Sequence, residues 1–199
     1  MMVHVRKDEK EVACQQILQQ DSSVYSIQWM VIPDRYAEGL TAIYLLDRYL
    51  THVREYTLAL IRPIKVEGGI EFRLFTTALS ILSFSPPEFH FSEGSFAVDL
   101  CISGGVLVQA GECDRGRFSL MAEQVADGTR ITLQLSDYCP ILLGSSKPSP
   151  LRKLLYRLTQ AYIHKIATVK YLALLYRDLS GKDICVRLKK VTVREGEET

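Results

Sequence analysis

The sequence predicts an α+β fold in which a curved antiparallel sheet of about six to seven strands holds a long C-terminal helix, with one or two short helices after the first strand. Segments of alternating apolar and polar residues follow one another from Thr57 to Asp137, which is typical of strands. The segment Pro150–Leu179 carries apolar residues at helical spacing. No internal repeat and no Gly/Ser/Pro-rich linker divides the chain, so we expect a single domain over residues 1–199.

Residues 1–24 are expected to form a helical extension, because "DEKEVACQQILQQ" has helical character. The first strand is predicted in "YSIQWMVIP", which alternates Ile27, Trp29 and Val31 on one side. Asp34 follows as an expected helix cap before "RYAEGLTAIYLLDRYLTHVREY", and Gly39 is expected to break that segment into two helices.

Strands dominate the middle of the chain. "TLALIRPIKV" ends at a hairpin turn at Gly68-Gly69, and "IEFRLFTTALSILSF" reads as the next strand until Pro86-Pro87 interrupts it. "SFAVDLCIS" is a further strand. The segment "RFSLMAEQVADGTRITLQLSD" is expected to fold into a hairpin about Asp127-Gly128, a strong turn dipeptide.

The C-terminal helix is predicted from Pro150, with Ser149 as its cap, to a stop at Gly181. After it, "DICVRLKKVTV" alternates like one more strand, and "REGEET" is expected to be a frayed tail. Residues 25–180 are thus the predicted core of the domain, and residues 181–199 are a strand-like segment with a tail.

The order of elements, closed by the helix "KPSPLRKLLYRLTQAYIHKIATVKYLALLYRDL", resembles the START-like helix-grip superfamily over residues 25–180. That superfamily includes lipid-transfer proteins, pollen-allergen relatives and aromatic polyketide cyclases. The resemblance implies an apolar cavity enclosed between the sheet and the C-terminal helix.

Composition gives no global signal for a charged partner, since the chain is 47% hydrophobic and 24% charged, with a formal net charge of +1. The five cysteines include no CxxC pair, and the first residues lack the apolar core of a secretory signal. We therefore expect reduced thiols and a cytoplasmic protein. Nucleotide-binding, zinc-protease and serine-hydrolase motifs are absent, so no metal site, cofactor or catalytic residue is predicted.

Basic residues cluster on the C-terminal helix. Because the chain as a whole is not basic, a solvated helix face is favoured and no nucleic-acid partner is expected. The alternative is a basic patch that docks transiently on an anionic membrane surface, which would suit a lipid carrier. The residues are Arg152, Lys153, Arg157, Lys165 and Lys170.

Lys165 is the residue that stands out in this helix. At about 100° per residue it falls inside the apolar arc, whereas His164 falls on the polar side near Arg157. The arc is about 120° wide and is expected to face the sheet. Its apolar members are Leu151, Leu154, Leu155, Leu158, Tyr162, Ile166, Val169, Leu172 and Ala173.

Gln124, on the inner face of the sheet, is the predicted neighbour of Lys165 on the C-terminal helix. A two-residue turn at Asp127-Gly128 pairs Ile131 with Gln124 and directs Gln124 inward at the level of Lys165. Three roles for Lys165 then remain open. In the first, the methylenes of Lys165 pack on the core and its ammonium reaches water. In the second, Lys165 and Gln124 together bind a ligand's carboxylate, phosphate or hydroxyl. In the third, Lys165 is a catalytic lysine with a lowered pKa.

The function predicted from these features is the binding or transport of a hydrophobic or amphipathic small molecule. Its contacts would be Lys165, Gln124, Tyr162, Leu158 and Val169. One alternative is a cyclase- or dehydratase-type enzyme, which no catalytic constellation supports. The other is a non-catalytic interaction module with a filled cavity, favoured by large inward side chains: Phe72, Leu74, Phe96, Leu100, Phe118, Leu133 and Leu135.

Overall fold

The computed structural model describes residues 8–112, 115–144 and 148–198. Its strands are β1 (Asp8–Leu18), β2 (Val24–Ile32), β3 (Ile61–Val66), β4 (Gly69–Leu74), β5 (Ser80–Phe84), β6 (Glu88–Ser92), β7 (Ser95–Gly104), β8 (Arg117–Val125), β9 (Gly128–Tyr138), β10 (Ile184–Lys190) and β11 (Glu197–Glu198). Its helices are α1 (Asp34–Ala37), α2 (Ala42–Tyr56), α3 (Pro150–Tyr156) and α4 (Tyr162–Ser180), and a π-helical segment (Arg157–Ala161) joins α3 to α4.

All of these strands belong to one sheet within the described residues, with the main order β10-β1-β2-β9-β8-β7-β5-β4-β3. β6 pairs with β7, and β11 pairs with β1. The pairings are antiparallel except for that of β1 with β10, which is parallel. The long C-terminal helix lies against the inner face of this curved sheet, in contact with β2 and β10, while α2 covers β7 and β8. The α+β helix-grip arrangement is therefore confirmed, with more strands than predicted.

The expected N-terminal helix is wrong, because Asp8–Leu18 is a strand that lies between β10 and β2, one strand in from the edge of the sheet. From Val12 onward its residues are buried on both faces. Ala13–Leu18 pair with β2, and Asp8–Cys14 pair with β10, more than 170 residues along the chain. Burial between two strands outweighs the local helical preference of this segment.

The strand predicted after Gly181 is confirmed as β10, but the frayed tail is not. Glu197 and Glu198 pair with the end of β1. The chain before them crosses the outer face of β1, where the Gln15 side chain accepts hydrogen bonds from the backbone N–H groups of Val193 (2.8 Å) and Arg194 (3.0 Å). The tail therefore covers apolar residues of β1 and β2 that would otherwise face water.

Two predicted turns differ from those observed. The segment "IEFRLFTTALSILSF" is two strands, β4 and β5, joined by a turn. In the β8–β9 hairpin the turn is Ala126-Asp127, and Val125 pairs with Gly128. Gly128 has φ of 136°, and a Cβ at this position would collide with the carbonyl of Ile32. The glycine is thus required both by its positive φ next to the turn and by the close approach of β2 to β9.

The helix boundaries largely follow the sequence signals. Gly39 separates α1 from α2 as expected, but Thr41 caps α2 by accepting a hydrogen bond from the Tyr44 N–H at 3.1 Å, and Asp34 caps nothing. Ser149 accepts from the Arg152 N–H, and Gly181 ends α4 with φ of 70°. None of the helices in the described ranges is long and apolar enough to cross a bilayer.

Candidate functional site

A small apolar cavity lies between the sheet and the helices. Its volume is about 50 Å³, and it is lined by Tyr49, Phe72, Leu82, Phe84, Ile102, Phe118, Leu135, Tyr138 and His164. The rim residues Leu82, Leu135 and His164 are half-buried, whereas the other lining residues are buried, so the cavity reaches the surface beside His164. A cavity for a whole small-molecule ligand usually measures about 300–1,000 Å³, which is far larger.

His164 is the polar group of this cavity, and its predicted position on the polar side of the helix is wrong. Its ring lies edge-on to Phe118, with centroids 6.4 Å apart. Its Nε2 atom is buried and has no hydrogen-bond partner within the described residues. Burial lowers the pKa of His164 to about 4, so the imidazole is neutral at pH 7.

The π-helical segment explains why the helical wheel misplaced these residues. A π turn holds one more residue than an α turn, which rotates everything after it by about 100° relative to α3. The buried side of the helical region therefore passes from Tyr156 through Ala161 to Thr168 and Tyr171. A helical wheel drawn with a constant 100° per residue does not include this rotation.

Gln16 of β1 holds the π-helical segment on the sheet. Its Nε2 donates to the carbonyl of Ala161 at 3.1 Å, and both residues are buried. This is a polar anchor in an otherwise apolar contact. The hydrogen bond links the π-helical segment, which sets the rotation of α4, to β1, which the sequence predicts as a helix.

Buried polar atoms without a partner are concentrated between the sheet and this helix. Within the described residues they are Gln28 Oε1, Gln160 Oε1 and His164 Nε2. Gln28 points inward from β2, where its Nε2 donates to Ser26 Oγ at 2.8 Å. Buried polar groups are nearly always hydrogen-bonded in native proteins, and of these three residues His164 is the one that lines the cavity.

Lys165 lies on the other flank of α4, half-buried above β1 and β10. It borders an open cavity of about 280 Å³ together with Cys14, Gln15, Gln16, Arg157, Leu188, Lys190, Val191 and Glu198. Nearby lysines are paired, Lys153 with Glu197 and Lys190 with Glu198, whereas Lys165 has no ion pair with a described residue. Lys165 thus borders this open cavity with a charge that no described residue pairs.

Gln124 is not the neighbour of Lys165. The observed hairpin pairs it with Thr129, two residues from the predicted register. It is exposed and borders a different cavity, with Phe91, Gly94, Phe96, Ala37 and Leu40. The pairing on which a joint Lys165–Gln124 site depended is wrong, and the binding role of each residue alone stays a prediction.

The remaining predicted contacts also lie apart from the cavity. Leu158 and Tyr162 are 65% and 59% exposed on the outer side of the helix, and Val169 is half-buried against the core. Of the large side chains predicted to point inward, Phe72, Leu100, Phe118 and Leu133 are buried. The structure thus fills most of the space between sheet and helix with side chains.

The lining of the cavity limits its chemistry. Among the described residues that form it there is no Asp, Glu, Lys, Arg or Cys. The Tyr138 hydroxyl is engaged, since it donates to the carbonyl of Leu107 at 2.9 Å. Nor do the described residues contain a group of three or more His, Cys, Asp or Glu side chains placed to hold a metal ion. The arrangement can bind an apolar group, and the His164 imidazole and the Tyr49 hydroxyl are the side-chain polar groups of the lining that can offer it a hydrogen bond.

Sequence reasoning missed His164, although one signal was available. His164 directly precedes Lys165, so rotating the helix by one residue, about 100°, moves His164 from the polar side to the side that faces the sheet. Several Leu residues in "LRKLLYRL" exceed what one buried stripe needs, and this excess is the only local hint of such a rotation.

The chain matches no model of a known protein family and no curated protein. Among solved structures it is similar to CalU16 from Micromonospora echinospora. The two are 13% identical, the alignment covers 87% of this chain and 85% of that chain, and the TM-score is 0.37. This is a coarse likeness of fold, and no residue's role is taken from it.

Proposed function

We propose that this protein binds an amphipathic small molecule whose end enters the cavity beside His164. The observation that carries the proposal is the buried Nε2 of His164, which has no hydrogen-bond partner among the described residues, on a side chain that lines a pocket of aromatic and aliphatic residues. A neutral imidazole nitrogen accepts a hydrogen bond from a hydroxyl or donates one to an oxygen, depending on its tautomer.

The volume of the cavity restricts the part of the ligand that enters. A cavity of about 50 Å³ is far below the about 300–1,000 Å³ of a site that encloses a whole small molecule. A ring edge or a short branch with one polar atom fits, and the rest of the molecule would lie at the rim formed by Leu82, Leu135 and His164. The protein would therefore enclose only part of its ligand, whereas the sequence predicts a cavity that encloses all of it.

Binding is favoured over catalysis because the lining residues offer no second acid or base. General acid–base and nucleophilic reactions usually pair a titratable group with a partner at hydrogen-bond distance. The His164 ring contacts the ring of Phe118. The Phe118 ring in turn contacts that of Tyr49, with the two centroids 4.8 Å apart. Burial raises the pKa of Tyr49, which keeps its hydroxyl neutral.

A matched pair of probes tests the proposal: 4-butylphenol and butylbenzene, titrated by isothermal calorimetry. The phenol hydroxyl can satisfy His164 Nε2, so we expect it to bind about fivefold to tenfold more tightly than the hydrocarbon. His164→Phe should remove this preference, and His90→Phe, at an exposed site on β6, should keep it. Equal affinity of the two probes for the unmodified protein would contradict the role of His164.

The second candidate function is an interaction module with a filled interior, and the small cavity volume favours it. Under this alternative neither probe binds, and native mass spectrometry of the purified protein shows the bare chain. Detection of a co-purifying small molecule that is lost in His164→Phe would instead support the binding proposal.

A further inference from the structure

The amino-terminal half of the C-terminal helical region has an apolar face that points away from the sheet. Its residues lie at helical spacing and are each between 46% and 65% exposed. The opposite side of the same turns is anchored by buried Tyr156 and Ala161. We define the apolar face as Leu151, Leu154, Leu155, Leu158, Tyr162 and Ile163.

The charged residues of the helical region that carries the apolar face have one sign, and Lys153 among them pairs with Glu197 of the C-terminal segment. From Pro150 to Arg177 the chain contains six Lys or Arg residues and no Asp or Glu, although the whole protein has a formal net charge of +1. Arg152 follows Leu151 and Arg157 precedes Leu158, so at about 100° per residue the two arginines border the apolar face on opposite sides. Both are exposed, and neither forms an ion pair within the described residues.

We propose that the apolar face docks on the surface of an anionic lipid bilayer. An interfacial helix buries its leucines at the boundary of headgroups and acyl chains, while flanking cations contact lipid phosphates. The face is the convex side of a helix, which a bilayer can receive without a complementary groove. Arginines on both borders match the negative surface of anionic lipids. The proposal goes beyond ligand binding and does not depend on the His164 cavity.

Flotation with lipid vesicles tests this docking. We expect the protein to bind phosphatidylcholine vesicles containing about 30 mol% phosphatidylserine, to bind pure phosphatidylcholine more weakly, and to lose affinity as salt is raised. The double variant Leu154→Ser/Leu158→Ser should lower the partition coefficient at least about tenfold. Arg152→Gln/Arg157→Gln should lower it about fivefold per arginine on the anionic vesicles only.

Phe91→Ser is the matched control, because Phe91 is 73% exposed on β6 and lies outside the C-terminal helix. It should leave vesicle binding unchanged. Far-UV circular dichroism, together with titration of 4-butylphenol, shows that each variant is folded and separates this proposal from that of the cavity. Absence of binding to anionic vesicles overturns the docking proposal. So does equal binding to both vesicle types, or sedimentation showing a dimer that Leu154→Ser/Leu158→Ser dissociates.

Discussion

The imidazole of His164 and the ring of Phe118 meet edge to face, 6.4 Å apart and inclined at 81°. This contact brings a titratable side chain of the C-terminal helix onto the inner face of the sheet. Phe118 in turn stacks on Tyr49 of α2, so helix, sheet and second helix converge at one point. The residue is half-buried, but its Nε2 atom lies in the interior of the protein, so its ionisation and hydrogen bonding affect the stability of the fold.

Replacing His164 by Leu should stabilise the protein. The substitution removes a buried nitrogen that no described residue hydrogen-bonds and adds apolar contact, so we expect the free energy of unfolding to rise by about 1–2 kcal/mol. Chemical denaturation at pH 7 measures it. His90→Leu removes a 3.3 Å contact of a 55% exposed side chain with Asp99, which keeps its pair with Arg117, so it should change stability by less than about 1 kcal/mol. Destabilisation by His164→Leu would mean that the nitrogen has an essential partner.

Stability should fall in mild acid. Burial lowers the pKa of His164 to about 4, whereas an unfolded histidine titrates near about 6.5. Between these values the unfolded chain binds a proton that the folded chain does not. The free energy of unfolding is therefore highest above about pH 6.5 and decreases, by up to about 3 kcal/mol, as the pH falls to 4.

The comparison of unmodified protein with His164→Leu isolates this effect. Burial also lowers the pKa of His52, which contributes a slope of the same sign in both proteins. The difference in unfolding free energy between the two should widen as the pH falls from 6.5 to 4. Parallel stability curves over that range would show that His164 titrates normally.

Gln16→Met should destabilise the protein by about 1–2 kcal/mol. The change keeps the volume of the side chain but removes the donor to the Ala161 carbonyl, leaving a buried acceptor in the π-helical segment without a partner. Thermal and chemical denaturation measure the loss. Gln124→Met is the matched control, because Gln124 is exposed and should tolerate the change.

Lys165→Met should leave stability within about 0.5 kcal/mol, since Lys165 has no ion pair with a described residue and borders an open cavity. Arg48→Met is the contrasting variant. Arg48 donates to Asp178 at 2.6 Å and to Glu55 at 3.3 Å while its side chain is mostly buried, so its loss should cost about 1–2 kcal/mol. A large loss in Lys165→Met would show that its ammonium has a structural partner.

Gln15→Ala should release the C-terminal tail from the outer face of β1. The Gln15 side chain accepts from Val193 and Arg194 and donates to the Arg194 carbonyl at 2.6 Å. Hydrogen exchange should then quicken at the amides of residues 193 and 194, while amides of the β8–β9 hairpin keep their protection. Unchanged exchange at these amides would mean that other contacts hold the tail.

The local signals in the sequence predicted the nature of most elements correctly. Alternation identified β2, β7, β8 and β9, Gly39 separated the first two helices, and Ser149 and Gly181 marked the ends of the long helical region. These signals work because capping, turn formation and amphipathic alternation depend on neighbouring residues alone. They do not determine which strands pair across long stretches of chain.

Local sequence patterns are sufficient for the α+β class and the long C-terminal helix, and the sequence lacks the motifs that mark a catalytic centre. The tertiary structure was needed to show that Asp8–Leu18 is a strand, because its partners in β10 are supplied from the other end of the chain. It also decided that His164 faces inward and Leu158 outward. A π-helical segment held by Gln16 rotates the helix, and a uniform helical period contains no trace of that rotation.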